Sequence, residues 1–389
     1  MVTVSQTVSM RRTWDIFCSV VDNFGDIGVC WRLARRLSVG LGQQVRLWVD
    51  DLASFQRLVS AVDVLQAVQH IDGVEVRHWR EPFPDIAPAE IVVEGFGVRL
   101  PDRFTEAMAA TRPSPVWINL EYLSAEPWVD GHHGLPSPHP RLPLTKYFFF
   151  PGFSADTGGV IIEGDLLAAR DAFQCDAAVA RRFRRQIGIE DGEKARTWIS
   201  LFCYHAGALP SLVEAWAADA HGVGCVVAEG YARAQIEKIA GQPLVQGSTV
   251  RIGQLSLHAM PFLPLDDYDR LLWSCDLNFV RGEDSFVRAQ LAARPLIWQA
   301  YPQEAETHLV KSAAFRDRYV QTMAPADATA YGALFDAWNR HGGDCGATWA
   351  EFARRLPAFR AHSGAWAATV AGNGDLAVNL AKFCEDRLE

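Results

Sequence analysis

The sequence has little that would tie it to a membrane, to nucleic acid or to an oxidising compartment. No apolar run approaches the roughly 20 residues that a membrane-spanning helix needs. The N-terminus lacks the charged-then-apolar pattern of a secretory signal, and residues 1–12 read as a loose leader. Positive charge is in deficit, with 37 Lys and Arg against 46 Asp and Glu. The resulting net charge of −9 argues against general binding to nucleic acid or anionic lipid. The eight cysteines are scattered, with no C-x-x-C pair, and several sit inside apolar runs. Buried, reduced thiols in a cytoplasmic protein without structural zinc are the expectation.

What remains is a chain of 389 residues, 49% hydrophobic, which suits a globular protein and is too long for one ordinary core. The first strand is expected over Trp14–Val21 and the first helix over Val29–Leu37. Between them, Asp22-Asn23-Phe24-Gly25-Asp26-Ile27-Gly28 forms a glycine-bearing turn from strand to helix. Open α/β sheets bind ligands at such turns, although this one is not a G-x-G-x-x-G dinucleotide fingerprint. Asp22 and Asp26 flank it, as ligand-binding groups or with one of them capping the helix. Further parallel strands are expected at Val45–Val49, Ile91–Glu94 and Val116–Leu120. The last of these feeds Glu121, Tyr122 and Glu126. His132, His133 and His139 lie in a loop rich in Pro and Gly and lack ligand spacing for a metal.

Ala169–Ile187 reads as one helix with a solvated arginine face, followed by a polar linker at Gly188–Lys194. The pattern of strand, glycine turn and helix then restarts at Thr197–Tyr204. Two Rossmann-like domains facing each other across a cleft fit this restart. The first is expected at residues 1–190, with 365–389 packing back on it, and the second at 191–364. Strands are also expected at Gly224–Glu229, Arg251–Leu257 and Pro295–Gln299. Asp267-x-Asp269 has the form of a metal motif, but carboxylates also favour the first turn of a helix, where the dipole stabilises them.

The densest chemistry lies at Arg281-Gly282-Glu283-Asp284-Ser285, between the apolar strand Cys275–Val280 and a helix opening at Phe286. A glycine turn into a helix N-terminus leaves backbone N–H groups pointing outward, an anion site with Arg281 beside it. Ser285 is placed to cap the helix. The two carboxylates suit sugar or ribose hydroxyls.

Six stretches in this order resemble the elongation-factor-P arginine rhamnosyltransferase family, glycosyltransferases of the GT-B type. They are Asp22–Val29, Ile118–Glu126, Phe149–Phe153, Leu201–Tyr204, Arg281–Ser285 and Tyr301-Pro302-Gln303, spanning nearly the whole chain. The resemblance implies an α/β GT-B fold and an inverting transfer of L-rhamnose from dTDP-β-L-rhamnose to an arginine of folded elongation factor P, without metal or other cofactor. It implies that Asp22, Asp26 and Glu283 are the catalytic carboxylates. Phe202, Tyr204 and Phe262 would surround the nucleotide, Arg281, Asp284 and Ser285 would hold ribose and diphosphate, and Gln303 would join the donor site. Leu265 departs from the pattern, standing where the family has a glutamine. Two other readings are a nucleotide-dependent oxidoreductase, which an absorbance spectrum would reveal, and a non-catalytic module for the same factor, which would not bind dTDP.

Overall fold

The computed structural model describes residues 11–21, 24–189, 197–302, 307–340 and 342–388. The chain divides into two compact units, residues 1–164 with 370–389, and residues 165–369.

In the first unit the order is β1 (Thr13–Cys18), α1 (Gly25–Arg35), β2 (Gln44–Val49), α2 (Leu52–Leu58), β3 (Val68–Ile71) and β4 (Val74–His78). Then come β5 (Ile91–Gly95), α3 (Asp102–Ala110), β6 (Val116–Leu120), β7 (Pro136–Pro138) and β8 (Thr145–Phe149). The sheet runs β3-β4-β2-β1-β5-β6-β8-β7, parallel except for the outermost pair on each edge. Strands β1, β5 and β6 are buried on both faces, which is why they read as continuous apolar runs without alternation. One face carries an aromatic core in which Phe17 stacks on Trp48 at 5.6 Å and Phe83 and Phe104 close around them. Such pairs contribute about 0.5–1.5 kcal/mol each beyond the area they bury.

The second unit begins earlier than expected, with α4 (Leu166–Cys175) and α5 (Ala177–Gln186), which belong to it and not to the first. The expected boundary at 190/191 is therefore displaced to 164/165. The reason is tertiary. Arg170 donates to the Leu291 carbonyl at 2.8 Å, Gln174 to Ala292 at 2.8 Å and Arg184 to Ser274 at 3.0 Å. These are two helices and not one, because Asp176 ends the first and caps the second through the Ala178 amide.

There follow β9 (Thr197–Leu201), α6 (Leu209–Ala218), β10 (Val223–Val227), α7 (Tyr231–Ala240), β11 (Thr249–Ile252) and β12 (Leu255–Ala259). Next are α8 (Leu265–Ser274), β13 (Leu277–Arg281), α9 (Asp284–Leu291) and β14 (Leu296–Gln299). The sheet order is β11-β12-β10-β9-β13-β14, parallel apart from β11. The single strand expected at Arg251–Leu257 is a hairpin turning at Gly253, which has φ +55. Helices α10 (Thr307–Val320), α11 (Pro325–Asn339), α12 (Gly346–Arg354) and α13 (Leu356–Gly372) complete this part. The last helix, α14 (Leu376–Leu388), lies in the first unit, where Asp375 bridges to Val160 and accepts from Arg36 Nε at 2.7 Å.

Candidate active site

In an open α/β sheet, ligands settle outside the carboxyl ends of the strands, where the strand order reverses. In the second unit that point lies between β9 and β13, since β10 and β12 extend to one side and β14 to the other. The segments leaving these two strands are Phe202–Tyr204 and Arg281–Ser285, so strand order alone brings together five of the expected donor residues. Phe262 follows β12 at the same edge and is half-buried. Gln303 lies outside the described residues.

The side chains interlock. The Arg281 guanidinium lies 4.4 Å from the ring centres of both Phe202 and Tyr204 and 5.6 Å from Tyr231, and its Nη1 donates to the Cys203 carbonyl at 3.3 Å. Tyr231 opens α7 and went unforeseen, because nothing in its local sequence shows that β10 ends at this edge. Tyr204 is anchored through its amide, which donates to Gln299 Oε1 at 2.8 Å. Cys203, sealed between them, is no nucleophile, because burial pushes its thiol up to about 12.

Gly282 takes φ +66, a conformation that favours glycine, and its carbonyl accepts from Trp298 Nε1 at 2.9 Å. The chain then enters α9 with Glu283 as the N-cap residue. Ser285 is not the cap. It sits inside the first turn, and its hydroxyl donates back to the Arg281 carbonyl, so it ties the turn to β13. Glu283 is held by Lys311 at 2.9 Å. The Asp267-x-Asp269 pair is engaged elsewhere, Asp267 with Arg270 at 2.8 Å and Asp269 in a buried fork with Arg288 at 2.9 and 2.6 Å. Leu265 is the first residue of α8 and is buried. Its aliphatic side chain has no hydrogen bond to offer a ligand.

The first unit repeats the arrangement with other groups. Its strand order reverses between β1 and β5. Helix α1 starts at Gly25, four residues before the expected Val29, so Asp26 stands in the first helical turn and not in the loop ahead of it. Asp26 is only 1% exposed. One carboxylate oxygen accepts from the Val21 amide at 3.1 Å and the other from the Tyr122 hydroxyl at 3.2 Å. Tyr122 leaves β6 and stacks on Phe96, which leaves β5, at 4.3 Å and 11°. Phe96 holds a left-handed φ of +60, a strained conformation for a bulky residue. Phe96 was missed because a positive φ leaves no mark on a phenylalanine in sequence. Asp22 lies outside the described residues.

The loop histidines pair with backbone groups. His132 Nδ1 pairs with the Trp128 carbonyl at 2.7 Å, and His139 Nδ1 accepts from the Leu142 amide at 3.0 Å. Among the described residues, no group of three His, Cys, Asp or Glu could hold a metal.

Residues 14–385 match the family model of the Elongation-Factor P (EF-P) rhamnosyltransferase EarP. A protein-arginine rhamnosyltransferase of Pseudomonas putida is 45% identical over 97% of this chain and 100% of its own length. One of Pseudomonas aeruginosa is 44% identical with the same coverage, and one of Neisseria meningitidis is 35% identical over 95% of this chain and 96% of its own. A solved structure concerned with EarP-mediated arginine glycosylation of translation elongation factor EF-P is 33% identical, with a TM-score of 0.70. It covers 97% of this chain and 99% of that one. A Rickettsia africae glycosyltransferase, 10% identical with a TM-score of 0.54 and covering 97% of each chain, shares the fold alone.

Proposed function

We propose, because this chain belongs to the elongation-factor P rhamnosyltransferase family and is a protein-arginine rhamnosyltransferase, that it moves L-rhamnose from dTDP-β-L-rhamnose to an arginine of elongation factor P, inverting the anomeric carbon. Its fold is the α/β GT-B type, with two Rossmann-like domains. The reading assigns the acceptor to the first unit and the donor to the second.

The observation that carries it is the Asp26 carboxylate, buried and oriented from two directions at the first unit's switch point. A guanidinium has a pKa above about 12 and is a poor nucleophile while protonated. Asp26 takes a proton from one guanidinium nitrogen as that nitrogen bonds to the anomeric carbon. The bond from that carbon to the diphosphate oxygen breaks, and the electron pair leaves with dTDP. A single displacement of this kind inverts the centre. Asp22 grips the guanidinium, and Glu283, fixed by Lys311, is the third carboxylate.

The outgoing diphosphate is stabilised by the first-turn amides of α9 and by Arg281, whose cation needs no reorganisation during the step. The reaction uses no metal in this reading, which the engagement of Asp267 and Asp269 by arginines supports. The cytoplasm is the proposed compartment. All eight cysteines are unpaired, and no described helix is long and apolar enough to cross a membrane. Incubation of elongation factor P with the enzyme and dTDP-rhamnose should add one deoxyhexose to its intact mass. An unchanged mass with folded, dTDP-binding enzyme overturns the assignment.

A further inference from the structure

The amino-terminal edge of the second sheet carries a group of arginines that the transfer reaction leaves unused. After α9 the chain turns back through Ala293, which holds φ +54 without being glycine. The turn delivers Arg294 to the start of β14. Arg294 is 7% exposed, and its Nε and Nη1 are buried with no hydrogen-bond acceptor.

Asp276 and Arg294 each stand two residues before the first pair of the β13–β14 ladder, Asn278 with Leu296. Asp276 is the carboxylate that favours the Arg294 charge, but it already accepts from the Trp198 amide at 2.9 Å. Burial, and next the neighbouring Arg360 guanidinium, draw the Arg294 pKa down to about 10. A third guanidinium, Arg184 of α5, lies 4.8 Å from the Trp198 ring and is near the same Asp276. Arg184 of α5 and Arg294 of the α9–β14 turn thus share one carboxylate, and Arg360 of α13 adds a third cation beside Arg294.

A guanidinium held from water without an acceptor is a costly arrangement that a matching anion relieves. Its planar fork matches phosphate oxygens, and a cluster of two or three arginines suits one dianion. We propose that this edge binds a single small phosphate-type dianion, held by Arg294 and Arg360 within the positive field of Arg184. The site is separate from the Arg281–Ser285 turn, because the five residues of β13 stand between them, roughly 16 Å of strand. The chain's net charge of −9 and the size of the cluster favour a free anion over a nucleic-acid backbone.

The test is calorimetric and thermal titration of the full chain with inorganic phosphate at constant ionic strength, with chloride as the reference. Wild type and Arg281→Ala should bind phosphate saturably and gain several degrees in Tm. Arg360→Ala should lose at least tenfold in affinity while its transfer rate is unchanged, and Arg360→Lys should recover part of the loss. Arg294→Met should abolish binding. Arg360 is exposed, so the test survives a failure of the Arg294 variant to fold. Adenosine monophosphate, titrated into Arg281→Ala, tells a lone phosphate from a nucleotide. Binding no tighter than phosphate identifies the former and tighter binding the latter, and both uphold the site. No saturable binding, or binding lost in Arg281→Ala but kept in Arg360→Ala, overturns it.

Discussion

The two units offer one scaffold loaded in opposite ways. Both build a mainly parallel sheet in which the first strand lies between strands that follow on either side, and both gather their candidate site residues at its carboxyl end. The first unit fills the place with a buried carboxylate in a helix's first turn, steadied by an amide and a phenol. The second fills it with a guanidinium among aromatic faces and a glycine turn into a helix. A helix N-terminus favours negative charge in either case. In the first unit that charge is the Asp26 carboxylate, and in the second Glu283 at the cap and Asp284 in the first turn are joined by the cations Arg281 and Lys311. The fold therefore sets the same place in both units, while a few residues in the turn decide which charges gather there.

The strongest way to break this comparison is to remove the first unit's charge while keeping its shape. Asp26→Asn can still accept the Val21 amide, so the fold should hold and dTDP affinity should not change. Turnover on elongation factor P, followed by intact mass, should fall about 10²–10⁴-fold if Asp26 is the base. Near-normal turnover would reduce Asp26 to a helix-start residue and shift attention to Asp22 or Glu283.

The reciprocal change empties the second unit's charge. Arg281→Ala should weaken dTDP binding by roughly 1.5–3 kcal/mol, about 10- to 150-fold, by loss of a charge-assisted contact. Ser285→Ala should cost less, because that hydroxyl is engaged with the Arg281 carbonyl. Calorimetry showing unchanged dTDP affinity in both would move the anion site elsewhere.

A smaller effect is expected from Tyr122→Phe, which keeps the stack on Phe96 and deletes one hydrogen bond to Asp26. Such a bond is worth about 1 kcal/mol, so turnover should drop roughly fivefold with donor affinity intact. A change in dTDP affinity instead would contradict the division of labour between the units. The smallest expectation is none at all. EDTA should leave the rate as it was, and rescue of a lost rate by magnesium or manganese would show that the second unit's cations are not sufficient.

Much of this arrangement was legible because it is local. The strands near Val45, Ile91 and Val116 follow from apolar runs and their boundaries. The turns at Asp26 and Arg281 announce themselves through glycine and charge. The β3–β4 hairpin was also readable and was overlooked. Asp72-Gly73, with φ of +47 and +76, is the Asp-Gly pair that two-residue hairpin turns prefer. Other features are not local at all. The polar stretch after Gly188 has the composition of a domain linker, yet carbonyl groups more than 80 residues away fix α4 and α5 to the second unit. The Tyr122 hydroxyl reaches Asp26 across 96 residues, and Lys311 reaches Glu283 across 28. Such pairs depend on strand order, which no single stretch of sequence encodes.

The return of α14 to the first unit has a consequence for how the chain is made. A ribosome synthesises residues 1–164 before the second unit, yet the unit they form lacks Asp375, the partner of Arg36, and the buried Leu376, Leu380 and Cys384 until the whole second unit has been made. The second unit, an insertion within the first, is released whole before then. The half begun first is thus the half finished last. A chain stopped at Thr369 should accordingly show hydrogen-exchange protection in β9, β10 and β13 and weakened protection in β1 and β6, and equal protection in both sheets would show that the first unit closes without its final helix.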